Sequence, residues 1–343
     1  MNLSPIPLGK LPPEQLTKIL DRAPVLDSRV LLGPGIGLDC AVVRLGETCL
    51  VFKSDPITFV SEEIGWYVVQ INANDIATTG GKPRWFLLTM LLPEQNITFE
   101  LVEQISDQVN DACLDLGISL IGGHTEITHG IDRPILVGTM IGEVACDKLV
   151  TPKGAFPGDR ILLTKGIPIE GTAILARERP EQLRGILSKE QIEQAAQFLY
   201  DPGISVVRDS QIAVRAGSVT AMHDPTEGGL ASALWELAQA CGHSLVIDPK
   251  AVLIPEISEK VCQAFWINPL ATIASGALLL TVSKEEARTV CQTLESEGID
   301  CEEIGFVEAG PPRVLQATDD NPVRLPRPKR DEIARLFENP IKK

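Results

Sequence analysis

The chain has 343 residues, of which 44% are hydrophobic and 22% charged, with a formal net charge of −15. That length predicts two domains of roughly 150 to 170 residues, and the composition is that of a folded protein, not a disordered one. The negative balance excludes non-specific nucleic-acid binding, which needs a basic surface.

The opening "MNLSPIPLGK" has no apolar run behind a basic region, so a signal peptide is not expected. No run of 18 apolar residues is present, so no membrane span is expected either. Eight cysteines are scattered with no C-x-x-C pair. They are expected to be buried free thiols in a reducing, cytoplasmic setting.

In chain order, strands are expected at 40–45, 49–53, 86–92, 118–121 and 135–144, with helices at 62–78 and 99–116. The second helix places Leu101, Ile105, Val109, Ala112 and Leu116 on one face, and Gly117 stops it. The Gly- and Pro-rich stretch "TPKGAFPGDR", Thr151 to Arg160, reads as a domain boundary. Beyond it, strands are expected at 161–164, 219–222, 244–247, 277–282 and 301–307. Helices are expected near 169–179, 189–200, 204–216, 229–241, 257–266 and 284–298. This alternation predicts an α/β (α+β type) fold in both halves. The domains expected are 1–150, 151–320 and a surface tail at 321–343.

Five segments carry the chemistry. "GPGIGLDCAVV" sets Gly35 and Gly37 ahead of Asp39 and a strand. It is not a dinucleotide fingerprint, which follows a strand and opens a helix. No P-loop motif occurs. "KSDPITF" ends an apolar strand with Asp55, either a turn former or a ligand contact. "INANDIATTGGKP" places Asn74 and Asp75 inside an apolar helix, where polar residues are mildly unfavourable and a ligand explains them better.

"IGGHTEIT" follows a strand with Gly122 and Gly123, whose amides suit an anion, then His124, Thr125 and Glu126. With four histidines and no H-E-x-x-H, a zinc site is not expected. "MHDPTEGGLASALWELA" puts Asp224 and Thr226 before a helix N-terminus, suited to phosphate. Thr226 is also the expected N-cap. Asp39, Asp55, Asp75 and Asp224 together could bind Mg²⁺, and the Gly-rich loops a triphosphate.

These motifs, in this order, resemble the aminoimidazole ribonucleotide synthetase superfamily. It includes selenophosphate synthetase, thiamine-monophosphate kinase, formylglycinamidine ribonucleotide synthetase and the hydrogenase-maturation carbamoyl dehydratase, or factor E. "GDRILLTKGIPIEGTAILARE" and "DPTEGGLASALWELA", followed by "SGALLLTV", are most similar to the factor E branch.

The resemblance implies an N-terminal mixed-sheet domain forming a homodimer and binding ATP, and a C-terminal α/β domain. It implies Asp39, Asp75 and Asp224 as Mg²⁺ ligands. Gly35, Gly37, Asp55, Gly122, Gly123, His124, Thr125 and Thr226 would contact the nucleotide. Asn74, Asp75 and Glu126 are the catalytic candidates. The implied reaction is phosphorylation of an amide or carbonyl oxygen by ATP, with later loss of phosphate. The carbamoyl dehydratases end in a cysteine, whereas this chain ends "FENPIKK" and its last cysteine is Cys301. A small free substrate is therefore expected, with a metalloenzyme-maturation partner as a further possibility. The alternatives are a non-catalytic nucleotide-binding dimer acting as a regulatory partner, and a small-molecule kinase.

Overall fold

The computed structural model describes residues 9–58, 62–95, 97–318 and 321–338. The opening residues 1–8 and the closing residues 339–343, both used in the sequence reading, lie outside the described residues. The chain divides into two compact units. One, the N-terminal unit, comprises Leu26–Gly33 and Asp39–Leu149; the other, the C-terminal unit, takes the rest, including the short loop Pro34–Leu38.

The first helix, α1 (Pro13–Leu20), belongs to the C-terminal unit. The N-terminal unit then follows as β1 (Val30–Leu32), β2 (Ala41–Leu45), β3 (Thr48–Ile57), α2 (Ile64–Ala77), β4 (Lys82–Pro93), α3 (Phe99–Leu116), β5 (Ser119–Thr128) and β6 (Ile135–Ala145). Its six strands lie in the order β1-β2-β3-β6-β4-β5. Neighbours are antiparallel except β4 and β5, which run parallel. Along β6 every second residue is buried, the period-2 pattern of a sheet with one covered face.

The helix α2 supplies that cover, packing on β3, β4 and β6 with α3 beside it. Thirteen of its residues are buried, which explains why its polar members are costly and informative. The helix α3 has the bounds the sequence predicts: the Thr98 side chain accepts from Leu101 N–H, and Gly117, at φ 65°, ends it. Its buried face is Ile105, Val109, Ala112 and Cys113.

The C-terminal unit continues with β7 (Arg160–Thr164), α4 (Ile169–Glu178), α5 (Pro180–Leu183), α6 (Lys189–Gln197), α7 (Val207–Ala216), β8 (Val219–His223), α8 (Gly229–Cys241) and β9 (Ser244–Ile247). It ends with α9 (Glu256–Phe265), β10 (Leu279–Val282), α10 (Ala287–Ser296), β11 (Cys301–Glu308), β12 (Arg313–Gln316), β13 (Val323–Arg324) and α11 (Glu332–Glu338). The sheet order is β13-β12-β9-β11-β7-β10-β8. Leu230, Leu234 and Leu237 of α8 pack with Ile161, Leu163 and Leu245 in one core. Ile212 of α7 and Val290 and Leu294 of α10 pack with Leu162, Met222 and Leu280 in the other. The interior strand β10, between β7 and β8, is therefore buried at all four positions, as its run "LLTV" requires.

Two expectations are corrected. The tail after residue 320 is packed in part: β13 joins the sheet, and Asp331, Ile333 and Ala334 are buried. The cysteines are not all free thiols, because Cys49 on β3 and Cys146 just past β6 form a disulfide. The two strands are antiparallel neighbours with Thr48 opposite Ala145, so the side chains meet at the sheet end, a proximity hidden by a separation of 97 residues. Among the described residues, no helix is long and apolar enough to cross a membrane.

Candidate active-site residues in each unit

In the N-terminal unit, Lys53 and Asp55 are two residues apart on β3 and so point to the same face. The buried α2 crosses that strand and delivers Asp75, whose side chain is only 4% exposed. The Lys53 ammonium lies 3.2 Å from Asp55 Oδ2 and 3.3 Å from Asp75 Oδ2. Burial pushes the Lys53 pKa down, but the charges of Asp75, Asp55 and Asp39 overcome it and hold the group well above its usual range.

Three carboxylates around one ammonium leave excess negative charge. Hard oxygen donors of this kind suit Mg²⁺. The backbone of Asp55 is pinned by a residue the sequence reading passed over. Asn72 Oδ1 accepts from Asp55 N–H at 3.0 Å, while Asn72 Nδ2 donates to Val68 O at 2.8 Å. Asn74 is fully buried in the same helix. Lys53 was also missed, although its spacing from Asp55 was visible in "KSDPITF".

The "GGHTE" segment is placed differently from the expectation. It is not a loop after a strand; the strand β5 runs through it to Thr128. Sheet order separates β5 from β3 by β4 and β6, so within the unit these residues do not join the Lys53 cluster. Three strand spacings amount to roughly 14 Å. The paired glycines serve the strand itself. Ile121 is passed over in the register with β4, and Gly122 and Gly123 follow with φ of 155° and 150°. A Cβ on Gly123 would collide with the Leu88 carbonyl oxygen. His124 Nε2 and Glu126 Oε2 are 3.3 Å apart, with both side chains more than half exposed. Gly122 to Thr125 line a groove of about 390 Å³ with Leu88 and Val109.

In the C-terminal unit, β8 ends at His223 and delivers a buried Asp224. His223 Nε2 is 2.9 Å from Glu236 Oε2 on α8. Gly37, at φ 70°, packs so closely on α8 that an added Cβ would lie 2.8 Å from Glu236 O; Gly35 stands in the same loop. Thr226 accepts a hydrogen bond from Lys10 Nζ at 3.3 Å.

Thr226 is not the N-cap of α8. Gly228 takes that position at φ 82°, and its N–H donates to Asp331 Oδ2 at 2.6 Å. The cap thus comes from a residue 103 positions away, which local sequence could not reveal. Glu170, in the first turn of α4, is buried, and its Oε2 has no hydrogen-bond partner among the described residues. Burial pushes Glu170 up to about 7, with Ser275 opposing and the Asp331 and Glu227 charges adding. Burial likewise pushes Asp331 up to about 6, opposed by the N–H groups of Gly228 and Ile333.

Two family models match in order: the AIR synthase related protein N-terminal domain over residues 37–144, and its C-terminal domain over 157–317. The chain belongs to the AIR synthase-related family. Its relatives include a protein of Methanocaldococcus jannaschii named for hydrogenase expression/formation, 28% identical over 79% of this chain and 81% of that one. The carbamoyl dehydratase HypE of Cupriavidus necator is 25% identical over 74% and 70%. The thiamine-monophosphate kinase of Pyrococcus abyssi is 25% identical over 80% and 83%. A solved structure of the hydrogenase maturation protein HypE in complex with ATP has the same fold, with a TM-score of 0.71 at 23% identity over 92% and 91% of the two chains. This AIR synthase-related chain is therefore similar both to a maturation protein and to a kinase.

Proposed function

We propose that this family member is an ATP- and Mg²⁺-dependent enzyme that phosphorylates an amide or carbonyl oxygen of a small substrate, in the manner of HypE. The observation that carries this reading is the cluster of Lys53, Asp55 and Asp75, with Asp39 close enough to raise the lysine. A cation already sits among these carboxylates in the form of Lys53, so the site suits positive charge. Asp39, Asp55 and Asp75 would hold Mg²⁺, which neutralises phosphate charge during phosphoryl transfer. Lys53 adds positive charge beside the carboxylates, and Asn72 fixes the strand that carries Asp55.

For Asp224 as a metal ligand and for Thr226, Gly35 and Gly37 as nucleotide contacts, the reading rests on the sequence motifs and the family resemblance. For Gly122, Gly123, His124, Thr125, Asn74 and Glu126 it rests on the resemblance as well. The reaction is transfer of the γ-phosphoryl group to the acceptor oxygen, giving ADP, followed by loss of that phosphate from the activated carbon. ATP binding by a similar HypE supports the nucleotide.

The test is incubation with Mg-ATP and a panel of small amides, measuring ADP and inorganic phosphate. Stoichiometric ADP and phosphate with an altered amide supports the reading. ADP with a stable phosphorylated product supports instead the kinase reading, which the similarity to thiamine-monophosphate kinase favours. No nucleotide binding at millimolar Mg-ATP overturns both, and binding without turnover points to a regulatory or maturation partner. A cytoplasmic homodimer joined through β5 completes the proposal: β5 is an edge strand with Leu120, Ile121 and Ile127 exposed, and such edges pair readily.

A further inference from the structure

Away from every residue assigned above, two cysteines of the C-terminal unit face each other without being joined. Cys291 Sγ on α10 lies 3.2 Å from Cys301 Sγ, the first residue of β11. Closing that gap to the ~2.05 Å of a disulfide asks for about an ångström of side-chain motion. The helix and strand are held in one shared core. Val290 and Leu294 anchor α10 in the core, and Cys301 pairs with Thr164 of β7.

The two thiols are unequal. Cys291 is partly exposed, whereas Cys301 is 3% exposed. The hydrogen bond from Cys301 lowers the pKa of Cys291, and the same contact raises that of Cys301. Charges of Glu295 and Glu302 oppose ionisation at both. One thiol is thus reachable, and the other is shielded and placed to resolve it. Cys113, Cys241 and Cys262 have no cysteine hydrogen-bonded to them among the described residues.

We propose that Cys291 and Cys301 form a reversible intramolecular disulfide, a redox modification site joining α10 to β11. The oxidant is a small-molecule disulfide of the glutathione class. The Cys291 thiolate attacks one of its sulfurs, forming a mixed disulfide and expelling the first thiolate. Cys301 then loses its proton and attacks Cys291 Sγ, expelling the second. Two protein thiols are oxidised, one reagent disulfide is reduced to two thiols, and the two protons pass to those products.

The test uses the full chain, reduced and then equilibrated in a series of oxidised and reduced glutathione mixtures. Acid quenching, alkylation and peptide mass spectrometry follow. The expected result is a peptide pair linked through Cys291 and Cys301, and alkylation of Cys291 about ten-fold faster than of Cys301 in the reduced protein. In Cys301→Ser the Cys291 adduct with glutathione persists, and in Cys291→Ser the Cys301 thiol stays unmodified. Recovery of Cys291 and Cys301 as separate thiols in the most oxidising mixture overturns the proposal. So does glutathione addition to Cys301 in Cys291→Ser at the rate seen for Cys291. The wild-type result decides even where a serine variant fails to fold.

Discussion

Removing the Lys53 ammonium takes an ion pair from Asp75, whose side chain is 4% exposed, and leaves the neighbouring carboxylates facing one another. Lys53→Met should therefore cost about 3 kcal/mol of stability, read by urea denaturation without nucleotide. Asp75→Asn should reduce ADP release on the order of 100-fold, with Mg-ATP as substrate, while the fold is retained by circular dichroism. Glu170 behaves in the opposite sense to an ion-paired acid. Its ordinary value is 4.5 and its folded value about 7, so its favourable contribution is complete below pH 4.5 and is lost as pH rises through 7. The loss is about 3 kcal/mol. Glu170→Gln should thus raise the melting temperature at pH 8 and change it little at pH 5; a gain at pH 5 equal to that at pH 8 would contradict the assignment. The pairing of Lys53 with Asp75 is not local. Lys53 reads in sequence as one charged residue in a strand, and only the crossing of α2 shows what it faces.

At the scale of elements, local chemistry was legible where a helix carries its own stop signals. The end of α3 follows from Gly117, which stops it at φ 65°, whereas the N-cap of α8 is Gly228 and not the expected Thr226. The strand β5 was misread because paired glycines suggest a loop, whereas here they allow close approach to β4. Gly123→Ala should cost about 2 kcal/mol, measured by thermal unfolding, because the new methyl meets the Leu88 carbonyl. If glycine at 123 served only an anion, that substitution would weaken nucleotide binding and leave stability unchanged. The cap of α8 is similarly displaced from expectation: Asp331→Ala removes the acceptor of Gly228 N–H and should destabilise more than Thr226→Ala does.

At the scale of the whole molecule, the proposed homodimer is checked by light scattering coupled to size exclusion. Ile121→Lys, on the exposed edge strand, should give a monomer of about half the wild-type mass. A wild-type monomer at all concentrations would remove that part of the proposal. The tail after residue 320 also belongs at this scale. Arg335 donates to Trp266 O and Arg179 to Leu336 O, so the last described helix is fastened to elements far back in the chain.

Sequence alone determined the α/β class, most element positions, the family and the presence of an acidic, glycine-rich set. Those properties depend on periodicity, caps and short motifs, which are local. Tertiary structure decided that Lys53 neutralises Asp55 and Asp75, that Asn72 pins Asp55, and that Asp331 caps α8. It also decided that Cys49 and Cys146 are joined while Cys291 and Cys301 stand apart as thiols. Each of these depends on which side chains the sheet order and helix packing bring within a few ångströms, and composition and spacing do not encode that distance.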